Sequence, residues 1–234
     1  LPYVMGEGNR KLSKRDPESS FAMYVERGYL PEALVNYLAL LGWSLGDDRE
    51  FFALQEMAEK FDVSRVNPNP ARFDLKKCTA INGDWIRSLA ADDLANRILP
   101  FLQREDILPA EPTPAQQELL LAATPLVQER LETLGQAPGM LGFLFAGERF
   151  AVDPEDGAKA LADQGVDVVR AARDALAGLP DFTAEPIQHA LRSALVDGLG
   201  LKPKLAFGPV RVAVTGRRVA PPLFESMELL GREE

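Results

Sequence analysis

Residues 16–44 read DPESSFAMYVERGYLPEALVNYLALLGWS, and the second half of this stretch sets the fold class. Leu30, Ala33, Leu34, Tyr37, Leu38 and Leu41 recur at spacings of three and four, the period of one face of an α-helix. Pro31 suits the first turn, where a missing backbone N–H costs nothing, and Gly42 suits the stop. One buried helix is therefore expected. The same period returns further along: Phe51, Leu54, Met57, Ala58 and Phe61; then Leu94, Ile98, Phe101 and Leu102, opened by Asp92 as N-cap. Leu119, Leu120, Ala123, Val127, Leu131 and Leu134 continue it as far as Gly135. Later stripes run through Ala158, Leu161, Val168, Val169, Ala172 and Leu176, then Ile187, Leu191, Leu195 and Leu199. Each stripe is expected to face a core, and the fold class is all-α and multi-helical.

Prolines and glycines mark the joints. Asn67-Pro68-Asn69-Pro70 is a turn cluster, Pro109 to Pro114 a loop, Gln136-Ala137-Pro138-Gly139 a break and Asp153-Pro154-Glu155-Asp156-Gly157 a further turn. Val210, Val212 and Val214 alternate with Arg211, Ala213 and Thr215 as in a short strand, yet Pro209 and Gly216 would equally bracket a short helix. Trp43, Trp85 and His189 are expected to pack rather than react. No internal repeat or low-complexity tract is present.

Upstream, residues 11–15 read KLSKR. Gly6 and Gly8 before them allow close approach of backbone to a ligand, and lysine brings a compact charge that can follow a moving phosphate.

The K-hydrophobic-S-K-R loop and the 16–44 segment that follows it resemble bacterial glutamyl-tRNA synthetases, whose loop is a version of the class I KMSKS sequence. Two further blocks carry the resemblance: Arg72-Phe73-Asp74-Leu75-Lys76-Lys77 through Asn82 with Trp85-Ile86-Arg87, and Gly208-Pro209-Val210-Arg211 through Thr215-Gly216 to Pro221-Pro222-Leu223-Phe224-Glu225. Residues 90–205 read as a helical spacer. The family also places a histidine motif upstream of the loop, on a nucleotide fold. This chain has one histidine, His189, downstream of it, and it begins at Leu1 without an initiator Met. The resemblance thus implies a C-terminal portion from the lysine loop onward, inactive by itself because the nucleotide-fold half is absent.

The resemblance implies a two-step reaction. Glutamate attacks the α-phosphate of ATP, with magnesium, to give a glutamyl adenylate, and the terminal ribose of the tRNA then takes the glutamyl group. Lys14 is the implied catalytic lysine, with Lys11 and Ser13 positioning the loop and Lys11, Lys14 and Arg15 meeting ATP; Arg15 stands where the wider class ends in serine. It implies tRNA contacts from Lys76, Lys77, Arg211, Thr215, Arg217, Arg218, Pro221, Pro222, Leu223 and Phe224. The proline pair would expose Leu223 and Phe224 to splayed bases, with Ala220 where the family often has serine. The domains implied are 1–88, the loop and stem-contact region, then 89–136 and 137–234, two helical anticodon-binding units. For residues 209–216 the resemblance favours the helix. A pure tRNA-binding or adaptor module, and an enzyme that also charges the glutamine tRNA, are the alternatives left open.

Composition bounds the rest. The 234 residues are nearly half apolar, enough for a substantial core. The single cysteine, Cys78, excludes an intramolecular disulfide and a cysteine-based zinc site, so no metal ligand set is expected. Beside Lys76 and Lys77 its thiol would have a lowered pKa, though no base completes a nucleophile. No leader or apolar run long enough for a membrane span is seen, so a cytoplasmic monomer is expected. A net charge of −9 argues against an RNA partner only on average. From Gly198 to Phe224 there is no acid, while Lys202, Lys204, Arg211, Arg217 and Arg218 are present. Arg65, Arg72, Lys76, Lys77 and Arg87 form a second basic group, and acid gathers from Asp47-Asp48 to Asp62. Cations interleaved with apolar groups suit unstacked single-stranded bases.

Overall fold

The computed structural model describes residues 3–6, 10–46 and 48–232. Leu1, Gly8 and Asp47, each used in the sequence argument, lie outside the described residues. Among the described residues the chain forms twelve α-helices, and the all-α expectation holds. One addition is a two-stranded parallel patch, β1 (Val4–Met5) against β2 (Ala71–Arg72), paired Val4 to Ala71 and Met5 to Arg72. Packing divides the chain into two units: Leu1–Ile98 with Gln128–Gln136, and Leu99–Val127 with Ala137–Glu234.

In the first unit, α1 (Phe21–Arg27) ends on Gly28 at φ 78°, a left-handed cap whose N–H returns to the Tyr24 carbonyl. α2 (Pro31–Leu40) has Pro31 in its first turn as expected, and it packs on α4 (Leu75–Ser88). Asp74 caps α4, accepting from the Lys77 N–H at 3.1 Å. Tyr24, Tyr29, Tyr37, Cys78 and Ile81 form the core, with Tyr24 edge-on to Tyr29 at 5.0 Å and Tyr37 edge-on to Phe73 at 5.2 Å. Asn82, fully buried, accepts from the Leu30 N–H at 2.7 Å and donates to the Glu132 carbonyl at 2.6 Å. The Gln128 amide donates among the last carbonyls of α4, 3.0 Å from Ile86 and 2.8 Å from Leu89.

Two expectations fail in this unit. α3 (Leu54–Lys60) spans only seven residues, too short to bury a stripe on both ends. Phe51, Leu54 and Phe61 remain 41%, 58% and 51% exposed, with Phe61 resting 5.8 Å from the Trp43 ring and Phe51 4.7 Å from that of Trp85, while Met57 packs further in, toward Trp43, Leu45 and Phe52. Leu38 is likewise exposed on α2. The Cys78 thiol is not activated either: burial pushes it up to about 12, outweighing the lysines next to it in sequence. Alkylation of Cys78 by iodoacetamide at pH 8 should therefore be at least about tenfold slower than in the urea-unfolded chain, read by mass spectrometry. Trp43 and Trp85 do pack, the latter donating from Nε1 to Asn36 Oδ1 at 3.0 Å.

α5 (Ala91–Arg104) starts at Ala91, so Asp92 lies in its first turn rather than at the cap, while Leu94, Ile98 and Leu102 are fully buried as expected. α6 (Pro114–Gln128) stops before Leu131 and Leu134, which are buried from the chain that follows it.

In the second unit, two expected breaks are helix starts. Gln136 to Gly139 enters α7 (Ala137–Leu141), and Asp153 caps α8 (Pro154–Ala160) by accepting from the N–H of Glu155 and of Asp156, with Pro154 in the first turn. The stripe from Ala158 to Leu176 is cut between α8 and α9 (Gly165–Ala177). α10 (Ala184–Leu191) runs on as a π-helical segment, Arg192–Gly198, after which Leu199 is exposed. α11 (Pro203–Thr215) settles the 209–216 ambiguity as helix, beginning at Pro203 with Pro209 inside it, and it closes on Gly216 at φ 75°. α12 (Leu223–Leu230) follows. Val168, Ala172, Ile187, Leu191, Leu195, Ala206, Val210, Leu223 and Met227 make the core. Ile187, Leu191 and Leu195 are fully buried, each contributing about 1.5–3 kcal/mol. His189 does not pack; it lies on the exposed face of α10.

Candidate nucleic-acid interface and lysine turn

The lysine loop is built in the first unit as a short antiparallel return followed by a turn. Lys11 bridges Met5, Leu12 donates its N–H to the Val4 carbonyl at 2.8 Å, and Gly6 donates to the Arg10 carbonyl at 2.9 Å. Lys11 Nζ sits 4.1 Å from the Tyr3 ring centroid, a cation–π contact. Lys14 and Arg15 are the central residues of a turn closed by the Asp16 N–H on the Ser13 carbonyl at 3.0 Å. The Ser13 hydroxyl accepts from the Arg15 N–H at 3.3 Å. Both Lys14 and Arg15 are exposed, and neither has an ion pair among the described residues. An unpaired ammonium displayed on this turn is available to an anionic ligand.

Arg10, Asp16, Arg72, Asp74 and Lys76 line an open hollow of about 1080 Å³ behind this turn. The adjacent lysines of α4 differ in situation. Lys76 is exposed on that hollow, whereas Lys77 is half-buried and ion-paired to Glu50.

The C-terminal residues singled out by sequence separate into three groups. Thr215 and Arg217 line a hollow of about 300 Å³ together with Gly139, Arg149, Phe150, Glu105 and Asp106, where Arg149 donates to the Asp106 carbonyl at 3.1 Å. Gly139 permits this, since a Cβ there would lie 3.0 Å from Arg217 Nη1. Gly216 closes the other side: its carbonyl accepts from the Asp153 N–H at 2.9 Å, and a Cβ would meet the Ala151 carbonyl at 2.8 Å. Thr215 Oγ1 stands 2.8 Å from the Arg211 carbonyl and 3.0 Å from that of Arg217, able to donate to one at a time. Arg217 is exposed, without an ion pair among the described residues.

Arg211 and Arg218 are drawn into the protein instead. Arg211 donates to the Pro221 carbonyl at 2.7 Å, and Arg218 bonds both oxygens of Asp156, from its backbone N–H at 2.9 Å and its Nε at 2.6 Å. Those bonds, the backbone one first, hold the Asp156 carboxyl below its usual range.

The expectation that Leu223 and Phe224 form an open stacking surface is overturned. Leu223 is 3% exposed within the core, and Phe224 packs edge-on to Phe207 at 5.5 Å. Pro221 is buried and Pro222, half-buried, precedes the first turn of α12, so the proline pair aims both side chains inward. Sequence reasoning passed over Arg149 and Phe150, which lay in a stretch read as spacer, although the pairing of a cation with an aromatic was visible in it. It also passed over Asp16, whose signal was the Ser-x-x-Asp spacing from Ser13. Among the described residues no cluster of His, Cys, Asp and Glu could hold a metal ion, and no helix is long and apolar enough to cross a membrane.

The class of protein, a class I tRNA synthetase, is given by two family models. Residues 93–234 match the anticodon binding domain, and residues 1–80 match the catalytic domain of class I tRNA synthetases for E and Q. The chain is 58% identical to a glutamate–tRNA ligase of Saccharopolyspora erythraea and 55% identical to one of Kineococcus radiotolerans, in each case over 100% of this chain and 46% of the relative. A glutamate–tRNA ligase structure from Elizabethkingia meningosepticum superposes with TM-score 0.79 at 26% identity, over 100% of this chain and 48% of that one. The chain belongs to the family of bacterial glutamate–tRNA ligases. It spans about half the length of the curated relatives it matches.

Proposed function

We propose that this chain carries the tRNA-gripping region and the phosphate-handling lysine turn of a glutamate–tRNA ligase. Lys14 is the mobile cation that follows the α-phosphate as pyrophosphate leaves. An ammonium that sits closer to the phosphates in the transition state than in the ground state lowers the barrier, because only differential binding speeds a step. Lys11 and Ser13 shape the loop and Arg15 adds charge beside it. These 234 residues, which span about half the length of the relatives, are expected to give no ATP–pyrophosphate exchange by themselves.

The observation that carries the RNA reading is the unpaired Arg217 guanidinium over Gly139, in one hollow with Thr215, Arg149 and Phe150. An open guanidinium and a ring beside a recess suit an unstacked anticodon base, which stacks on such groups while its edge is hydrogen-bonded, with the Glu105 and Asp106 carboxylates in the same hollow as acceptors for its amino groups. Leu223 and Phe224 act by shaping the 216–222 loop from within the core. The test is a titration of this chain with a glutamate-tRNA anticodon stem-loop and with an unrelated loop, at two salt concentrations. Preference for the first loop should survive higher salt, with log K falling at roughly −0.7 per phosphate neutralised. Arg217→Ala should weaken binding about tenfold and relax that preference, the mark of a base-edge contact. Equal, salt-erased binding of both loops would overturn the reading in favour of charge attraction alone.

A further inference from the structure

Apart from the Arg15 N–H on the Ser13 hydroxyl, the contacts that fix the Lys14–Arg15 turn converge on one residue, Asp16. Asp16 Oδ2 accepts from the Ser13 N–H at 2.6 Å, and its Oδ1 takes the Arg10 guanidinium. Its own N–H closes the turn on the Ser13 carbonyl at 3.0 Å, so residues 13 and 16 hold each other reciprocally. The Asp16 carbonyl then accepts from the Ser19 N–H at 2.9 Å and hydroxyl at 2.8 Å, joining the turn to the 3-10 segment Pro17–Ser19. That segment is tied to the core, because the buried Tyr24 donates its hydroxyl proton to the Glu18 carbonyl at 2.9 Å. The Asp16 side chain is 11% exposed, against 67% for Arg10.

We propose that Asp16 is a positioning residue that anchors the Ser13–Asp16 turn to the first unit and so holds the backbone from which the Lys14 side chain reaches out. Its use in the reaction rests on the reading of Lys14 given above; its geometry does not. Without the anchor the turn must order itself at each encounter with phosphate. With the anchor that entropy is lost once, on folding. A carboxylate is needed because it offers two acceptors and no donor. Asn could accept from Ser13 but would turn an NH₂ toward Arg10. The bond from the Ser13 N–H, and next Arg10, hold the Asp16 carboxyl below its usual range. The anchor is therefore complete above the ordinary carboxylate pKa and is lost as pH falls through the lowered one.

Amide hydrogen exchange on the 234-residue chain tests this at one N–H. Asp16→Ala should lower the protection of the Ser13 amide at least about tenfold while leaving that of Cys78, which donates to the Asp74 carbonyl at 3.0 Å in α4, unchanged. Wild-type Ser13 protection should fall with acid, whereas Asp16→Asn should show weaker protection with no acid step. Undiminished Ser13 protection in Asp16→Ala, or an acid step retained in Asp16→Asn, overturns the anchor. In a chimaera of this chain with the N-terminal part of a full-length relative, Asp16→Ala should cut the kcat of ATP–pyrophosphate exchange about tenfold with little change in the KM for glutamate. An unchanged kcat beside a damaging Lys14→Ala overturns the positioning role. A harmless Lys14→Ala removes the phosphate reading instead, and Ser13 exchange alone then decides the anchor.

Discussion

Lys14→Ala, placed in a chimaera in which this chain replaces the matching segment of the Saccharopolyspora erythraea ligase, should slow ATP–pyrophosphate exchange by about 10²–10³-fold. Lys14 is exposed at the crest of its turn without an ion pair among the described residues, so its ammonium is available to an anion. The substitution removes no buried contact, and the folded chain should unfold at the same temperature. The loss should fall on kcat, with the KM for glutamate nearly unchanged, because the interaction is made with charge that develops on the phosphates as they separate. Arg15→Ala should cost less, since arginine's fixed fork follows a moving phosphate less readily than lysine's point charge. Lys11→Ala should fall between them, having first to leave the Tyr3 ring. Initial rates of exchange at saturating ATP measure all three. An undiminished rate for Lys14→Ala would reassign the turn to RNA contact.

How far the sequence could be read followed from how local each interaction is. The buried stripes of α5 and of α10 with its π-helical extension were legible because period and burial coincide over two or more turns. For helix α11 the residue pattern left strand and helix open, only the family resemblance favoured the helix, and its extent was not legible. Pro209 looks like a boundary in sequence, yet it is buried inside the helix, where the packing of its ring offsets the lost hydrogen bond. The stripe around Leu54 misled for a different reason. Its spacing is helical, but Phe51 and Phe61 flank a helix of seven residues and follow loop backbone.

The site divides in the same way. Lys14, Arg15 and Arg217 could be picked out as cations beside turns, and the structure leaves all three exposed. Composition could not show that Arg218 and Lys77 are taken by Asp156 and Glu50, because those carboxylates are 62 and 27 residues away in the chain. Nor could it separate Leu223 from a stacking surface. Apolar residues after a proline pair read alike whether they face RNA or core, and only the packing of α12 on α10 decides.

Asn82→Ala should destabilise the first unit by about 2–4 kcal/mol, the largest loss expected from one small polar side chain here. In sequence Asn82 closes a block that resembles the family, with nothing to set it apart from a surface residue. In the structure it is fully buried and bonds two segments far from it, the start of α2 through the Leu30 N–H and the 128–136 return through the Glu132 carbonyl. Removing the amide strands the buried Leu30 N–H, whose desolvation is then uncompensated, and leaves a cavity among packed neighbours. Asn82→Asp separates the two bonds. Its carboxylate could still accept from Leu30 but would set an oxygen against the Glu132 carbonyl and bury a charge, so it should be no milder than Ala. Urea unfolding followed by tyrosine and tryptophan fluorescence measures both, since Tyr29 and Trp85 belong to that unit. A loss below about 1 kcal/mol for Asn82→Ala would mean that water replaces the amide at both ends and that the 128–136 return is held by Gln128 and the Leu134 N–H to Gly28 bond instead.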